Sequence, residues 1–144
     1  MKQFLQFLLY SNRKVRVINP TAHAVLDYLT AGYFFALTGY YWGRHRRAAV
    51  TAMINGIEVL GLSLFTDYPG GVKRVIPFET HGKIDLVQAA TAAGLPLLLG
   101  FVNDPEALFF EGQCGNELMV VSLTDWESGT REGEAYGWEW HAAS

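Results

Sequence analysis

The sequence predicts an all-α membrane protein, a four-helix transmembrane bundle made of two parallel two-helix repeats. Three features lead there: long stretches free of charge, polar residues that recur inside them 58 positions apart, and aromatic residues gathered where the stretches end. A spanning helix needs about 20 mostly apolar residues. Tyr28 to Gly43 carries no charge and reaches back to Ala22 once Asp27 is sheltered, and Leu86 to Asn103 is also free of charge. Ala48 to Phe65 is interrupted by Asn55 and Glu58. Ala107 to Leu123 holds Glu111, Gln113, Asn116 and Glu117, so its place as a fourth span rests on its counterpart in the first repeat.

The aromatic residues Tyr40, Tyr41, Trp42, Tyr68, Phe101, Phe109, Phe110 and Trp126 fall where spans meet headgroups, as an aromatic belt requires. The short stretches GRHRR (43–47) and VNDPE (102–106) close two hairpins, and Pro69-Gly70-Gly71 opens the longer link between them. With four spans, Lys2, Arg13, Lys14, Arg16, Lys73, Arg74, Lys83 and Arg131 share one side, against Arg44, Arg46 and Arg47 on the other. The excess of basic residues places both termini in the cytoplasm, and an inner membrane is the expected location.

At 144 residues the chain has room for one membrane domain, 16–126, with repeat one at 16–68 and repeat two at 74–126. Residues 1–15 read as an interfacial segment, because Phe4, Leu5, Leu8 and Leu9 share one helical face. Residues 127–144 form an acidic tail in which Tyr136, Trp138 and Trp140 point to contact with a partner or the membrane. A net charge of −3 excludes nucleic acid as a partner, and the single Cys114 excludes a disulfide framework or a Cys-rich zinc site.

The duplication is read residue by residue. Arg16-Val17-Ile18 precedes Arg74-Val75-Ile76 by 58 positions, as do His23 and Asp27 their counterparts His81 and Asp85, and Thr66-Asp67-Tyr68 its counterpart Thr124-Asp125-Trp126. Gly56-Ile57-Glu58 matches Gly115-Asn116-Glu117 with one residue of slippage. Each unit has two spans, so the repeats enter from the same side and are related by an axis along the membrane normal.

The strings H-x-x-x-D, LFTDYPGGVKRVIPF (64–78), GLPLLLGF (94–101) and SLTDW (122–126) resemble small bacterial membrane proteins of the SPW-repeat type. The resemblance covers roughly residues 16 to 126 and implies paired two-helix units, in a family whose function is not established. The Ser-Pro-Trp tripeptide itself is absent: Pro96 lies between Leu95 and Leu97, and the first unit has Gly39-Tyr40-Tyr41.

His and Asp four apart lie one turn apart on one side of a helix. At about 1.5 Å per residue, Asp27 and Glu58 differ in depth by only about 7 Å, and repeat two gives nearly the same arrangement. His23, Asp27, Glu58, His81, Asp85 and Glu117 are therefore the candidate metal ligands, gathered near the pseudo-two-fold axis. Ionisable groups inside a span cost at least about 2.5–3.5 kcal/mol for Asp, so they need a reason. One reason is structural: carboxylates paired with His or bonded to Thr66 and Thr124 fix how the hairpins dock. A second is a metal such as iron, manganese or zinc, which imidazole and carboxylate together suit. A third is a haem-like ring held by His23 and His81, whose small neighbours Ala24 and Gly82 would admit it; a fourth is proton or ion movement. No cofactor is favoured among these. The function expected is an accessory or scaffolding subunit of a larger membrane complex, with lipid and other membrane subunits or further copies as partners, rather than an enzyme. The alternative is a metal- or haem-binding membrane protein with its site between the repeats.

Overall fold

The computed structural model describes residues 16–128. The interfacial segment, the aromatic tail beyond 128, and the basic residues Lys2, Arg13, Lys14 and Arg131 lie outside the described residues. What is described is all-helical: α1 (Pro20–Tyr41), α2 (Arg46–Phe65), α3 (Phe78–Leu98) and α4 (Ala107–Leu123), with two short strands, β1 (Thr66–Asp67) and β2 (Ile76–Pro77), between α2 and α3.

Local chemistry sets where the helices begin and end. Asn19 caps α1, its Oδ1 accepting from the Ala22 amide at 2.8 Å, and Pro20 fills a first-turn position where no amide is needed. His45 caps α2 in the same way, with Nδ1 accepting from the Ala48 amide at 3.1 Å. α3 starts at Phe78, eight residues before the uncharged stretch, so His81 and Asp85 fall in its first two turns. Past its end the chain turns at Gly100, whose φ of +72° suits glycine, rather than running on to Asn103. The link from α2 to α3 folds back tightly at Gly71, where a Cβ would stand 1.9 Å from the Thr66 carbonyl oxygen.

α1 packs along α2 and α3 along α4, giving two hairpins, and α2 packs against α3. The hairpins are stitched at the end that holds the link by two parallel pairings, Thr66 with Ile76 and Ile18 with Thr124. Ile18 and Ile76 are 58 positions apart, as are Thr66 and Thr124, so the two pairings occupy equivalent places in the two units. At the opposite end Arg47 donates to the Leu99 and Gly100 carbonyls and ties the hairpin tips together.

The core falls into two clusters. Ala31, Phe34, Ala52, Val59, Phe101 and Phe110 belong to the one on the tip side, where Phe34 and Phe110 stack at 6.2 Å. Ala24, Tyr68, Phe78, Val121 and Trp126 form the other, around the two strand pairings. The expected aromatic belt divides accordingly. Tyr40, Trp42 and Phe109 are exposed, whereas Tyr41, Tyr68, Phe101, Phe110 and Trp126 are buried.

Among the described residues one helix, α2, is long and apolar enough to cross a membrane. α1 and α3 are diluted by their His and Asp residues, and α4 has 17 residues with Glu111, Gln113, Asn116 and Glu117 among them. Most of the polar groups nevertheless point inward: His23, Asp27, Thr51, Asn55, His81, Asp85, Gln88, Gln113 and Glu117 are buried, whereas Glu58, Glu111 and Asn116 are exposed. Val25, Leu29, Phe35, Ile57, Val87, Leu97, Leu108 and Met119 are exposed as well.

Candidate metal centre between the repeats

Each repeat aims one histidine at the same point. His23 on α1 and His81 on α3 face each other through their Nε2 atoms at 3.1 Å, both with 1% exposure or less. Their Nδ1 atoms meet the two repeat threonines: His23 Nδ1 lies 2.9 Å from Thr124 Oγ1, and His81 Nδ1 lies 2.7 Å from Thr66 Oγ1. Each threonine hydroxyl donates its one hydrogen to the carbonyl four residues back, Thr66 to Leu62 and Thr124 to Val120, both at 2.7 Å. A hydroxyl whose hydrogen is committed can only accept from its other neighbour. Both histidines therefore carry hydrogen on Nδ1, and in the neutral ring each Nε2 is a bare lone pair.

Two carboxylates bracket that pair of nitrogens. Asp27 presents Oδ1 to His23 Nε2 at 3.5 Å and Oδ2 to His81 Nε2 at 3.2 Å. Asp85 presents Oδ2 to His23 Nε2 at 3.3 Å and Oδ1 to His81 Nε2 at 3.2 Å. With both rings neutral the interior gathers two lone pairs and two carboxylates away from water, and with a proton on either Nε2 the same contacts are an ion-paired hydrogen-bond cluster between the repeats. Such a set needs positive charge in its midst, supplied by protons or by a metal ion, because buried charge without a partner is strongly unfavourable. A divalent ion with two neutral imidazoles and two carboxylates is a neutral ensemble.

The spacing suits an ion. Ligands about 2.0–2.1 Å from a tetrahedral metal stand roughly 3.3 Å from one another; the two Nε2 atoms are 3.1 Å apart, and each carboxylate reaches them at 3.2 to 3.5 Å through a different oxygen for each ring. His23, Asp27 and His81 each bring a ligand atom within 4.8 Å of the others.

Aromatic residues seal the site. Trp126 lies edge-on to His23 with ring centroids 5.0 Å apart, and its indole donates to the Val121 carbonyl at 3.1 Å. Phe78 meets His23 at 5.4 Å. Tyr68, also buried, donates its hydroxyl to Asp27 Oδ2 at 2.9 Å. Burial first, and then the Asp27 carboxylate, hold the Tyr68 phenol well above its ordinary pKa, so it remains a donor.

Four of the six candidate ligands, His23, Asp27, His81 and Asp85, come together. Glu58 does not join them, being exposed on α2. Glu117 is buried on α4 within electrostatic reach of Asp85, Asp27 and His81, and it accepts from Gln113 Nε2 at 2.7 Å. The threonines hold histidines, not carboxylates. The small residues beside the histidines are already covered: a Cβ on Gly82 would meet the Trp126 ring at 2.7 Å, and Ala24 sits in the Tyr68–Phe78–Trp126 cluster, so a flat macrocycle finds its place filled. Tyr68 and Trp126 were legible only as interfacial aromatics, although their shared place after Thr-Asp in both repeats was a usable signal.

A second group of ligand-type residues, His45, Asp104 and Glu106, stands at the hairpin tips. Here His45 Nδ1 accepts from the Ala48 amide, so the ring hydrogen is on Nε2, which lies 2.9 Å from Asp104 Oδ2. That contact is complete as a hydrogen bond and leaves the His45 ring no lone pair for a metal.

No family model, curated protein or solved structure matches the chain.

Proposed function

We propose that this chain is a small integral membrane protein that binds one divalent transition-metal ion between its two repeats, through His23, Asp27, His81 and Asp85. The observation that carries the reading is the pair of Nε2 lone pairs, fixed by Thr124 and Thr66, that converge at 3.1 Å between two carboxylates. Imidazole with carboxylate suits zinc, iron or manganese. The histidine–threonine contacts are the outer-shell bonds that orient metal-ligating imidazoles.

The bilayer part of the proposal is supported by the large apolar side chains exposed on all four helices, with the His and Asp residues of α1 and α3 turned inward. At about 1.5 Å per residue, helices of 22, 20, 21 and 17 residues measure roughly 25 to 33 Å, close to a hydrocarbon core of about 30 Å. In that setting the basic residues place both termini in the cytoplasm. The resemblance to SPW-repeat proteins is compatible with this arrangement and adds no chemistry to it. An accessory role in a larger complex leans chiefly on the aromatic tail, which lies outside the described residues, and is secondary to metal binding.

Elemental analysis of protein purified in mild detergent tests the reading. About one equivalent of zinc, iron or manganese per chain is expected, with loss of the ion from His81→Ala. Folded protein that is metal-free, and remains so after incubation with each ion, would overturn it.

A further inference from the structure

The two repeats do not treat their carboxylates alike. Three of the four ligands have an outer partner that fixes them: Thr124 for His23, Thr66 for His81, and Tyr68 for Asp27. Asp85 has no such support. Its Oδ2 is buried and has no hydrogen-bond donor among the described residues, and the side chain is 2% exposed. The cause lies in one pair of equivalent positions. Tyr68 and Trp126 stand 58 positions apart in the two Thr-Asp-aromatic units. The phenol of Tyr68 reaches Asp27, whereas the indole N–H of Trp126 is taken by the Val121 carbonyl and does not serve Asp85.

Resting on the metal reading above, we infer that His23, His81 and Asp27 are the permanent ligands and that Asp85 occupies an exchangeable fourth position, which a small exogenous ligand such as water or azide takes in its place. Sites with three protein ligands and one open position bind and activate small molecules, whereas sites closed by four fixed ligands are structural. Ligands with oriented outer partners are held in place, and removal of such a partner typically weakens metal binding about 10–100-fold. Two histidines and one carboxylate with an open position are also the ligand set of non-haem iron centres that take up small diatomic or anionic ligands. Trp126 and Phe78 pack on His23 and Tyr68 bonds Asp27, so the four ligands lie buried and the exogenous ligand is a small one.

Cobalt(II) supplies the test, since its visible bands report ligand number and type. Full-length protein in detergent is loaded with cobalt and titrated with sodium azide, and the same is done for Asp85→Asn, Asp27→Asn and Tyr68→Phe. Azide should shift the bands of the wild type, and should do so at lower concentration in Asp85→Asn, which keeps cobalt within about 10-fold of wild-type affinity. Asp27→Asn should lose affinity by more than about 100-fold, and Tyr68→Phe by about 10-fold. Azide bands that never move in the wild type overturn the inference, even if the Asp85 variant does not fold. Equal loss of cobalt from folded Asp85→Asn and Asp27→Asn also overturns it. Wild-type protein that takes up no cobalt, zinc, iron or manganese removes both this inference and the metal reading, whereas bound cobalt that ignores azide removes the inference alone.

Discussion

The two ends of the bundle hold similar residues and do different things with them. At one end His23 and His81 meet Asp27 and Asp85; at the other His45 meets Asp104 and Glu106. What separates them is the partner of Nδ1. A threonine hydroxyl with its hydrogen already committed makes Nδ1 a donor and leaves Nε2 bare, as at His23 and His81. A backbone amide makes Nδ1 an acceptor and places the hydrogen on Nε2, as at His45. One end is therefore a set of converging acceptors that needs a cation, and the other is a finished hydrogen bond that caps α2 and clasps the hairpin tips. Proximity of His and carboxylate does not distinguish the two, and the neighbouring donor or acceptor does.

The largest effect that sharpens this contrast is expected from His81→Ala. It removes one converging lone pair and leaves Asp85 and Asp27 buried beside a single imidazole. Loss of one partner from a buried charged pair costs about 3–5 kcal/mol, so bound metal should disappear and the denaturation midpoint of detergent-solubilised protein should fall steeply. A smaller loss is expected from Thr66→Val, which keeps the shape of the side chain but removes the acceptor of the His81 Nδ1 hydrogen. Metal affinity, followed by competition with a chelator, should drop about 10–100-fold.

At the tips the same types of substitution should leave the metal alone. His45→Ala deletes a cap on α2 and the tie to Asp104, so a stability loss of about 1 kcal/mol is expected with metal content unchanged. Asp104→Asn is the mildest. Asp104 is 44% exposed in its side chain, an amide oxygen still accepts from His45 Nε2, and the change in stability should stay within about 0.5 kcal/mol. Metal lost from either tip variant would erase the distinction between the two ends.

Much of the centre was legible in the sequence because duplication repeats it. Two histidines and two aspartates at a common spacing of 58, and two threonines at the same spacing, are the residues that meet. Glu58 misled, and Glu117 did not, because depth along a helix is not direction around it. Glu117 stands seven residues before Thr124, close to a whole number of turns, and shares that threonine's buried face. The one-residue slip puts Glu58 eight before Thr66, about 80° around the axis, and it emerges on the exposed side of α2. The aromatic residues hid their roles for a different reason. Tyr68 and Trp126 fit a membrane belt by composition, and only the path of each donor, to Asp27 or to Val121, separates a ligand support from a lid.

The most direct measurement is the hydrogen-bonding state of the histidine nitrogens, read by nitrogen-15 NMR of histidine-labelled protein loaded with cadmium-113. His23 and His81 should each show hydrogen on Nδ1 and scalar coupling of Nε2 to the metal, while His45 shows hydrogen on Nε2 and no coupling. Hydrogen on Nε2 of His23 and His81, with no cadmium coupling at either ring, would contradict the metal centre and leave a hydrogen-bonded clasp at both ends of the bundle.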